Sequence, residues 1–297
     1  MRTTEEQISE TIGAHIKGQI TKAVAGKFNI KTQNGVVEDC VIRGTVKKAK
    51  EVYVGDYCEV EDGVITALYP RKNELIRPYV ANIDALLIVV APVPQPDWIC
   101  VEKLILNCHH QQITPAIVFN KTDRTTKEEV EGFLAPYQGE FFTFAVSAET
   151  GEGLDALREY IRGKLVCFAG QSAVGKSSLI NALAGKNIQV GELSKKISRG
   201  KNTTRHVEIY DLADGQAVDT CGFSVMDSVD IKYDELVYYY DEFLAFQQKC
   251  KYTNCTHTNE PACAVKQAVE RGELNAHRYE RYVKLYEALK ASWLKKY

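Results

Sequence analysis

The stretch Leu165-Val166-Cys167-Phe168-Ala169-Gly170-Gln171-Ser172-Ala173-Val174-Gly175-Lys176-Ser177-Ser178 decides the fold. Its first five residues are apolar, β-branched or aromatic and read as a buried strand, and a helix-forming run from Ser177 to Ala184 closes the unit. Between them, Gly170 to Ser177 fits G-x-x-x-x-G-K-[ST]. In a strand-loop-helix of this kind, backbone N–H groups wrap the α and β phosphates of a nucleotide. Lys176 reaches the β and γ phosphates, and the Ser177 hydroxyl ligates Mg²⁺. Free N–H groups and the helix dipole from Lys176 onward, Ser178 included, add to the anion site.

A second motif lies upstream. Asn120-Lys121-Thr122-Asp123 follows the apolar run Pro115 to Phe119. The Asp123 carboxylate can accept from both N1–H and the 2-amino group of guanine, a donor pair that adenine lacks; Asn120 can donate to N7 while the Lys121 stem covers the ring. Ser147-Ala148 follows another strand-like run, Phe141 to Val146, and offers the Ala148 N–H to guanine O6. Guanine-reading loops ahead of the phosphate loop reverse the order of ordinary small GTPases, so the chain resembles a circularly permuted one.

The remaining nucleotide elements are expected downstream of the phosphate loop. Asp219-Thr220-Cys221-Gly222 supplies D-x-x-G, with Asp219 holding Mg²⁺ through water and the Gly222 N–H meeting the γ phosphate. Thr203 or Thr204 supplies the threonine that closes on Mg²⁺ in the GTP state; Thr204 is taken as the ligand.

With 297 residues, 45% hydrophobic, and a formal charge of −2, the chain suits a soluble globular protein of more than one domain. Neither a signal peptide nor an apolar run of spanning length is visible, so no membrane association is expected. Nine cysteines beside a nucleotide site read as a reducing cytoplasm. Near-neutral charge neither supports nor excludes nucleic acid.

Three regions separate. Short β-type runs between His15 and Arg71 predict a small barrel over residues 1–72, either an oligonucleotide-binding (OB) fold or a purely structural barrel. Strands and helices then alternate, predicting a three-layer α/β GTPase domain over 73–228. Helices are predicted at Trp98 to Cys108, Lys127 to Tyr137 and Leu154 to Arg162. Residues 229–297 read as a helical module carrying Cys250-x4-Cys255-x-His257-x5-Cys263. Three thiolates and an imidazole complete a tetrahedral Zn²⁺ site with no open position, so one structural zinc is expected. Cys100, Leu104 and Cys108 share one helix face and read as core rather than as a second metal site with His109 and His110. Tyr238, Tyr239, Tyr240, Phe243 and Phe246 suggest one amphipathic helix.

Barrel, permuted motifs and cysteine cluster, in this order, resemble the ribosome small-subunit-dependent GTPase family (RsgA). The likeness rests on ANID, NKTD, SAETGEGL, GQSAVGKSSLIN, RGKNTTRH, DTCGFS and CKYTNCTHTNEPACAV and covers nearly the whole chain. The resemblance implies a cytoplasmic, monomeric assembly factor that binds the small ribosomal subunit and its rRNA. GTP and GDP with Mg²⁺ would be its cofactors, and subunit-stimulated hydrolysis would be coupled to release. Two positions depart from the family's usual pattern: Cys221 stands for proline, and Asn202 for a histidine before the paired threonines. Phe223 follows D-x-x-G where Ras-like enzymes place a water-orienting glutamine. Asn202, Thr204 and Lys176 are therefore the catalytic candidates, with Asn202 able to orient water but not to take its proton, and His206 a lesser alternative.

Between Leu193 and Val207 there is no acid, while Lys195, Lys196, Arg199, Lys201 and Arg205 concentrate positive charge on the loop expected to sense the γ phosphate. Placed there, they are candidates for RNA phosphates, against the plainer reading of a solvated face. Two rivals stay open at this level: a GTP-gated RNA-binding switch with negligible turnover, and a P-loop phosphotransferase with an unseen acceptor.

Overall fold

The computed structural model describes residues 16–76, 79–184, 207–218 and 231–296. Five strands open the described residues: β1 (Ile16–Val24), β2 (Lys27–Thr32), β3 (Gly35–Ile42), β4 (Tyr57–Glu61) and β5 (Val64–Leu68). They pair in the order β1-β2-β3-β5-β4, and β4 returns to β1, closing a barrel whose one parallel pair is β3 with β5. Alternate residues turn inward, so Ile20, Ile30, Cys58, Val60 and Ile65 fill the barrel. A short helix, α1 (Gly44–Ala49), links β3 to β4.

The hairpin β6 (Glu74–Ile76) and β7 (Tyr79–Ala81) leads into a parallel sheet made of β8 (Ala85–Val90), β9 (Thr114–Phe119), β10 (Phe142–Ala145) and β11 (Leu165–Ala169). Beyond β11 follow β13 (Gln216–Val218), parallel, and β12 (Val207–Asp211), antiparallel. Strand β8 is apolar at every position because both faces are covered. Leu86, Ile88 and Val90 meet α2 (Trp98–His110) and α3 (Lys127–Leu134). Ala85, Leu87 and Val89 meet α4 (Leu154–Ile161) and α5 (Lys176–Leu183). Leu104 and Cys108 are buried in the α2 face, as expected of core residues.

Helix α3 starts on a reciprocal capping box between Thr126 and Glu129, but it stops at Leu134, short of the predicted Tyr137. Pro136, which has no N–H to continue the α ladder, sits in the following 3-10 turn, Ala135–Tyr137.

Barrel and GTPase sheet are not separate sheets. Strand β12 pairs antiparallel with β1, Lys22 opposite Glu208 and Ala23 opposite Val207, giving eleven strands in one run. The Lys31 ammonium reaches both Asp211 oxygens across this seam, at 2.7 and 2.8 Å. The linker is equally fixed. Arg71 forks onto buried Asp56 at 2.7 and 2.8 Å, and Asn82 donates to Gly55 O at 2.9 Å.

In the C-terminal module, the expected single aromatic helix is two pieces: a 3-10 helix, Tyr233–Tyr239, and α6 (Asp241–Gln247). The break at Tyr240 turns its ring inward with Phe243, while Tyr238 faces solvent. Helices α7 (Ala264–Glu270) and α8 (Ala276–Lys296) complete the module. Helix α8 lies against α2, where buried Glu102 accepts from the Tyr137 and Tyr240 hydroxyls, each at 3.0 Å, and pairs with Arg278. Burial beside Glu102 pushes both phenols well above their ordinary range, so both remain protonated donors.

Candidate functional site

Parallel strands end on the same side of the sheet, and crevices there collect the loops that follow them. Three sequence-predicted motifs use this arrangement: NKTD leaves β9, Ser147-Ala148 leaves β10, and Gly170 to Ser177 leaves β11. The structure brings all three together.

The phosphate loop needs glycine at both ends. Gly170 has φ +133°, and a Cβ there would lie 2.2 Å from Val89 O. Gly175 has φ +96°, and its Cβ would lie 2.3 Å from the Asn120 amide nitrogen. Neither position admits a side chain without displacing its neighbour. The Lys176 ammonium lies inside the loop, donating to Gly170 O at 2.7 Å and Gln171 O at 2.6 Å. Ser172, Ala173, Ser177 and Ser178 are exposed along the same surface, and Val174 is buried beneath it.

Asn120 has a part that its motif alone did not reveal. It is buried; its amide donates to Val174 O at 2.9 Å, and its carbonyl oxygen accepts from the Ala148 N–H at 3.1 Å. One side chain thus staples all three loops. The predicted contact of Asn120 with N7 falls to its second amide hydrogen, and the Ala148 N–H is shared between Asn120 and any base oxygen. Lys121, at φ +66°, donates to Ala173 O at 2.6 Å and Val93 O at 2.8 Å, fixing the direction of its stem.

The Ser147 hydroxyl donates to Asp123 Oδ1 at 2.6 Å. That bond, with a smaller share from Arg124, holds the Asp123 carboxyl below its ordinary range, so it is an ionised acceptor at neutral pH. Gln171 makes a contact absent from the sequence reading: its Oε1 accepts the backbone N–H of Asp97 at 2.9 Å, tying the phosphate loop to the start of α2. No local pattern announces this bond, since its partners lie far apart in the chain. Asp97 is legible only as the helix cap, accepting from Cys100 N at 3.1 Å.

The remaining nucleotide and RNA candidates lie outside the described residues. They are Lys195, Lys196, Arg199, Lys201, Asn202, Thr203, Thr204, Arg205, His206, Asp219, Cys221, Gly222 and Phe223.

Cys250, Cys255, His257 and Cys263 converge with their ligand atoms within 4.8 Å of one another, the one such group among the described residues. His257 Nδ1 stands 3.7 Å from Cys250 Sγ and 3.3 Å from Cys263 Sγ. Tetrahedral Zn²⁺ with ordinary bond lengths needs sulfur-to-nitrogen edges of about 3.6 Å, so the four residues fit the ion. The Ala264 N–H points at Cys250 Sγ from 3.3 Å, a contact suited to a thiolate. Burial pushes the Cys255 thiol up to about 12 and His257 below its usual value. The imidazole is therefore ready to coordinate, whereas the Cys255 and Cys263 thiols, both raised by burial, must release a proton. Tyr279 and Tyr282 of α8 donate to His257 O and Thr256 O, both at 2.8 Å, seating the loop on the helix.

The geometry agrees with comparisons across known proteins. A family model described as RsgA GTPase matches residues 68–229. A small ribosomal subunit biogenesis GTPase RsgA from Caldanaerobacter subterraneus subsp. tengcongensis is 38% identical over 292 residues, spanning 95% of this chain and 98% of that protein. YjeQ from Thermotoga maritima superposes with a TM-score of 0.80 at 31% identity, covering 93% of this chain and 98% of that one. YloQ, a circularly permuted GTPase, superposes with a TM-score of 0.77 at 27% identity, over 98% and 99%. An NKTD loop stapled to a phosphate-loop motif that follows it in the chain matches the order of a permuted GTPase, and this GTP-hydrolysing chain belongs to the RsgA GTPase family.

Proposed function

We propose that the chain acts in late assembly of the small ribosomal subunit, binding an rRNA-rich surface and hydrolysing GTP to GDP and phosphate. The subunit stimulates hydrolysis, and hydrolysis drives release. The observation that carries this reading is the single Asn120 side chain joining the guanine and phosphate loops, in a chain whose relatives are named for small-subunit biogenesis.

Within it, Asp123, Asn120, Lys121, Ser147 and Ala148 read the base. Gly170 to Ser178 hold the phosphates, and Ser177, Thr204 and Asp219 hold Mg²⁺. Gly222 meets the γ phosphate. Lys176 and Thr204 stabilise the charge that develops on the transferred phosphoryl group, and Asn202 orients water. The zinc is structural and single. Lys195, Lys196, Arg199, Lys201 and Arg205 meet RNA phosphates. Residues 1–72, 73–228 and 229–297 form the three domains of a cytoplasmic monomer. Among the described residues no helix is long and apolar enough to cross a membrane.

Steady-state GTP turnover with and without purified bacterial small subunits tests the proposal. Slow turnover alone and a strong rise with subunits are expected; equal rates in both would sink it. Replacing Lys195, Lys196 and Lys201 with alanine should weaken subunit binding and flatten its salt dependence, because fewer counterions are released.

A further inference from the structure

The phosphate loop is held from outside the GTPase site. Gln171 takes the Asp97 N–H, and Asp97 caps α2. The first turn of α2 carries Trp98, and the guanidinium of Arg281, from α8 of the C-terminal module, lies over its ring with 3.8 Å to the centroid. Arg281 also donates to the Tyr137 hydroxyl at 2.7 Å, and that hydroxyl donates in turn to Glu102, one helical turn beyond Trp98. Glu102 meets Arg278, which is 2% exposed, donates to Glu242 at 3.0 Å and lies over the Tyr240 ring at 4.5 Å. Helix α8 thus grips α2 at its first turn and again at its second.

Two properties make this grip more than packing. Rigid helices with buried polar partners move as units, because a shift that leaves Glu102 unpaired in the interior is strongly disfavoured. The loop that opens α2 is also the one Lys121 holds through Val93 O, so it touches both the guanine and the phosphate motifs. Any displacement of α8 is therefore delivered to the nucleotide loops at Asp97.

We propose that Arg281 is a positioning residue for the nucleotide site: through Trp98 and the Asp97–Gln171 bond, the C-terminal module sets the placement of the phosphate loop and hence nucleotide affinity. By linkage, nucleotide in the loop biases the position of the module to the same extent. The module's contact with a partner and the nucleotide state are thereby coupled without passing through the segment that carries D-x-x-G. The proposal rests on the nucleotide-site reading above.

A double-mutant cycle on the full chain tests it, with the affinity for GDP measured by fluorescence of a labelled analogue. Arg281→Ala and Gln171→Ala should each weaken GDP binding by about fivefold or more. The double variant should bind no more weakly than the weaker single variant, since both cut one path. Arg281→Ala binding GDP like the wild type, or a double loss equal to the product of the two single losses, would overturn the proposal. A role confined to folding lowers the thermal midpoint without producing that non-additivity. Should Arg281→Ala melt below the assay temperature, Arg281→Gln removes the cation while keeping a donor for Tyr137, and the same cycle is read with it. Wild type that fails to bind GDP would refute the nucleotide-site reading itself, and this inference with it; wild type that binds while the cycle is additive refutes the inference alone.

Discussion

Asp123 is proposed to carry base selection, and its neighbours set the pH range over which its carboxylate stays charged. Because the Ser147 hydroxyl and Arg124 lower its pKa, the carboxylate stays charged to lower pH than a free aspartate. The sign is that of a depressed acid: its contribution is complete above the ordinary value and fades only as pH falls through the lowered one. Guanine affinity measured between pH 7 and about 5 should accordingly show no loss from this group. Asp123→Asn replaces two acceptors with one acceptor and one donor, and should weaken GTP binding about a hundredfold or more while improving xanthosine nucleotides. Competition binding with both nucleotides reads this directly, and equal GTP affinity in wild type and variant would remove Asp123 from the site. Water activation is a second residue-scale matter. Asn202→Ala is expected to lower subunit-stimulated turnover more than His206→Ala, because an amide can orient water where Phe223 cannot. The reverse ranking in single-turnover assays would move the role to His206.

At the level of elements, the Cys/His cluster is supplied by chain segments with little regular structure of their own. Cys250 and Cys255 lie in turns between α6 and α7, His257 stands at φ +58°, and Cys263 precedes α7. A zinc ion bound there, as proposed, would hold such a loop against its conformational entropy, so its binding free energy would become folding free energy for the module. Protein purified without chelators should contain one zinc per chain. Cys255→Ser should lose it, and with it the protection of the Tyr279 and Tyr282 contacts, while GDP affinity changes much less than module stability. Elemental analysis with hydrogen exchange across α7 and α8 checks both halves; wild type without zinc would refute the assignment. The sheet elements show a different logic. Apolar runs such as Ala85 to Val90 require burial on two faces but do not name their neighbours, and β8 found α2 and α4 through shape and length.

At the scale of the whole molecule, the junction between α2 and α8 holds a buried charge pair, with Arg278 2% and Glu102 1% exposed. Arg278→Met should destabilise the chain by about 3–5 kcal/mol, because it removes the buried cation that pairs with both Glu102 and Glu242. Adding Glu102→Gln takes away the anion that has lost its cation while keeping one accepting oxygen for the two tyrosine hydroxyls, so the double variant should recover at least about 1 kcal/mol. Urea unfolding followed by fluorescence of Trp98, which lies in this junction, measures the difference. Additive losses would mean that the pair is not energetically coupled. The surface bridge between Lys31 and Asp211 should contribute far less, about 1 kcal/mol at most, since both groups remain in water.

The sequence by itself determined the permuted GTPase, the loops that converge at the strand ends, the five barrel strands and the four Cys and His residues that come together. Each of these chemistries is written by near neighbours: consecutive amides wrap a phosphate, thiols a few residues apart close a tetrahedron, and alternation marks a strand. Only the tertiary structure decided that Asn120 staples three loops, that β12 continues the barrel through β1, and that Asp97 holds Gln171. It also decided that Glu102, a lone acid in an apolar helix, is buried against Arg278 across the domain junction. Those partners are separated by long stretches of chain, and their identity depends on which surfaces meet once the apolar faces are buried. A desolvated charge or amide then must find a partner wherever packing has placed one.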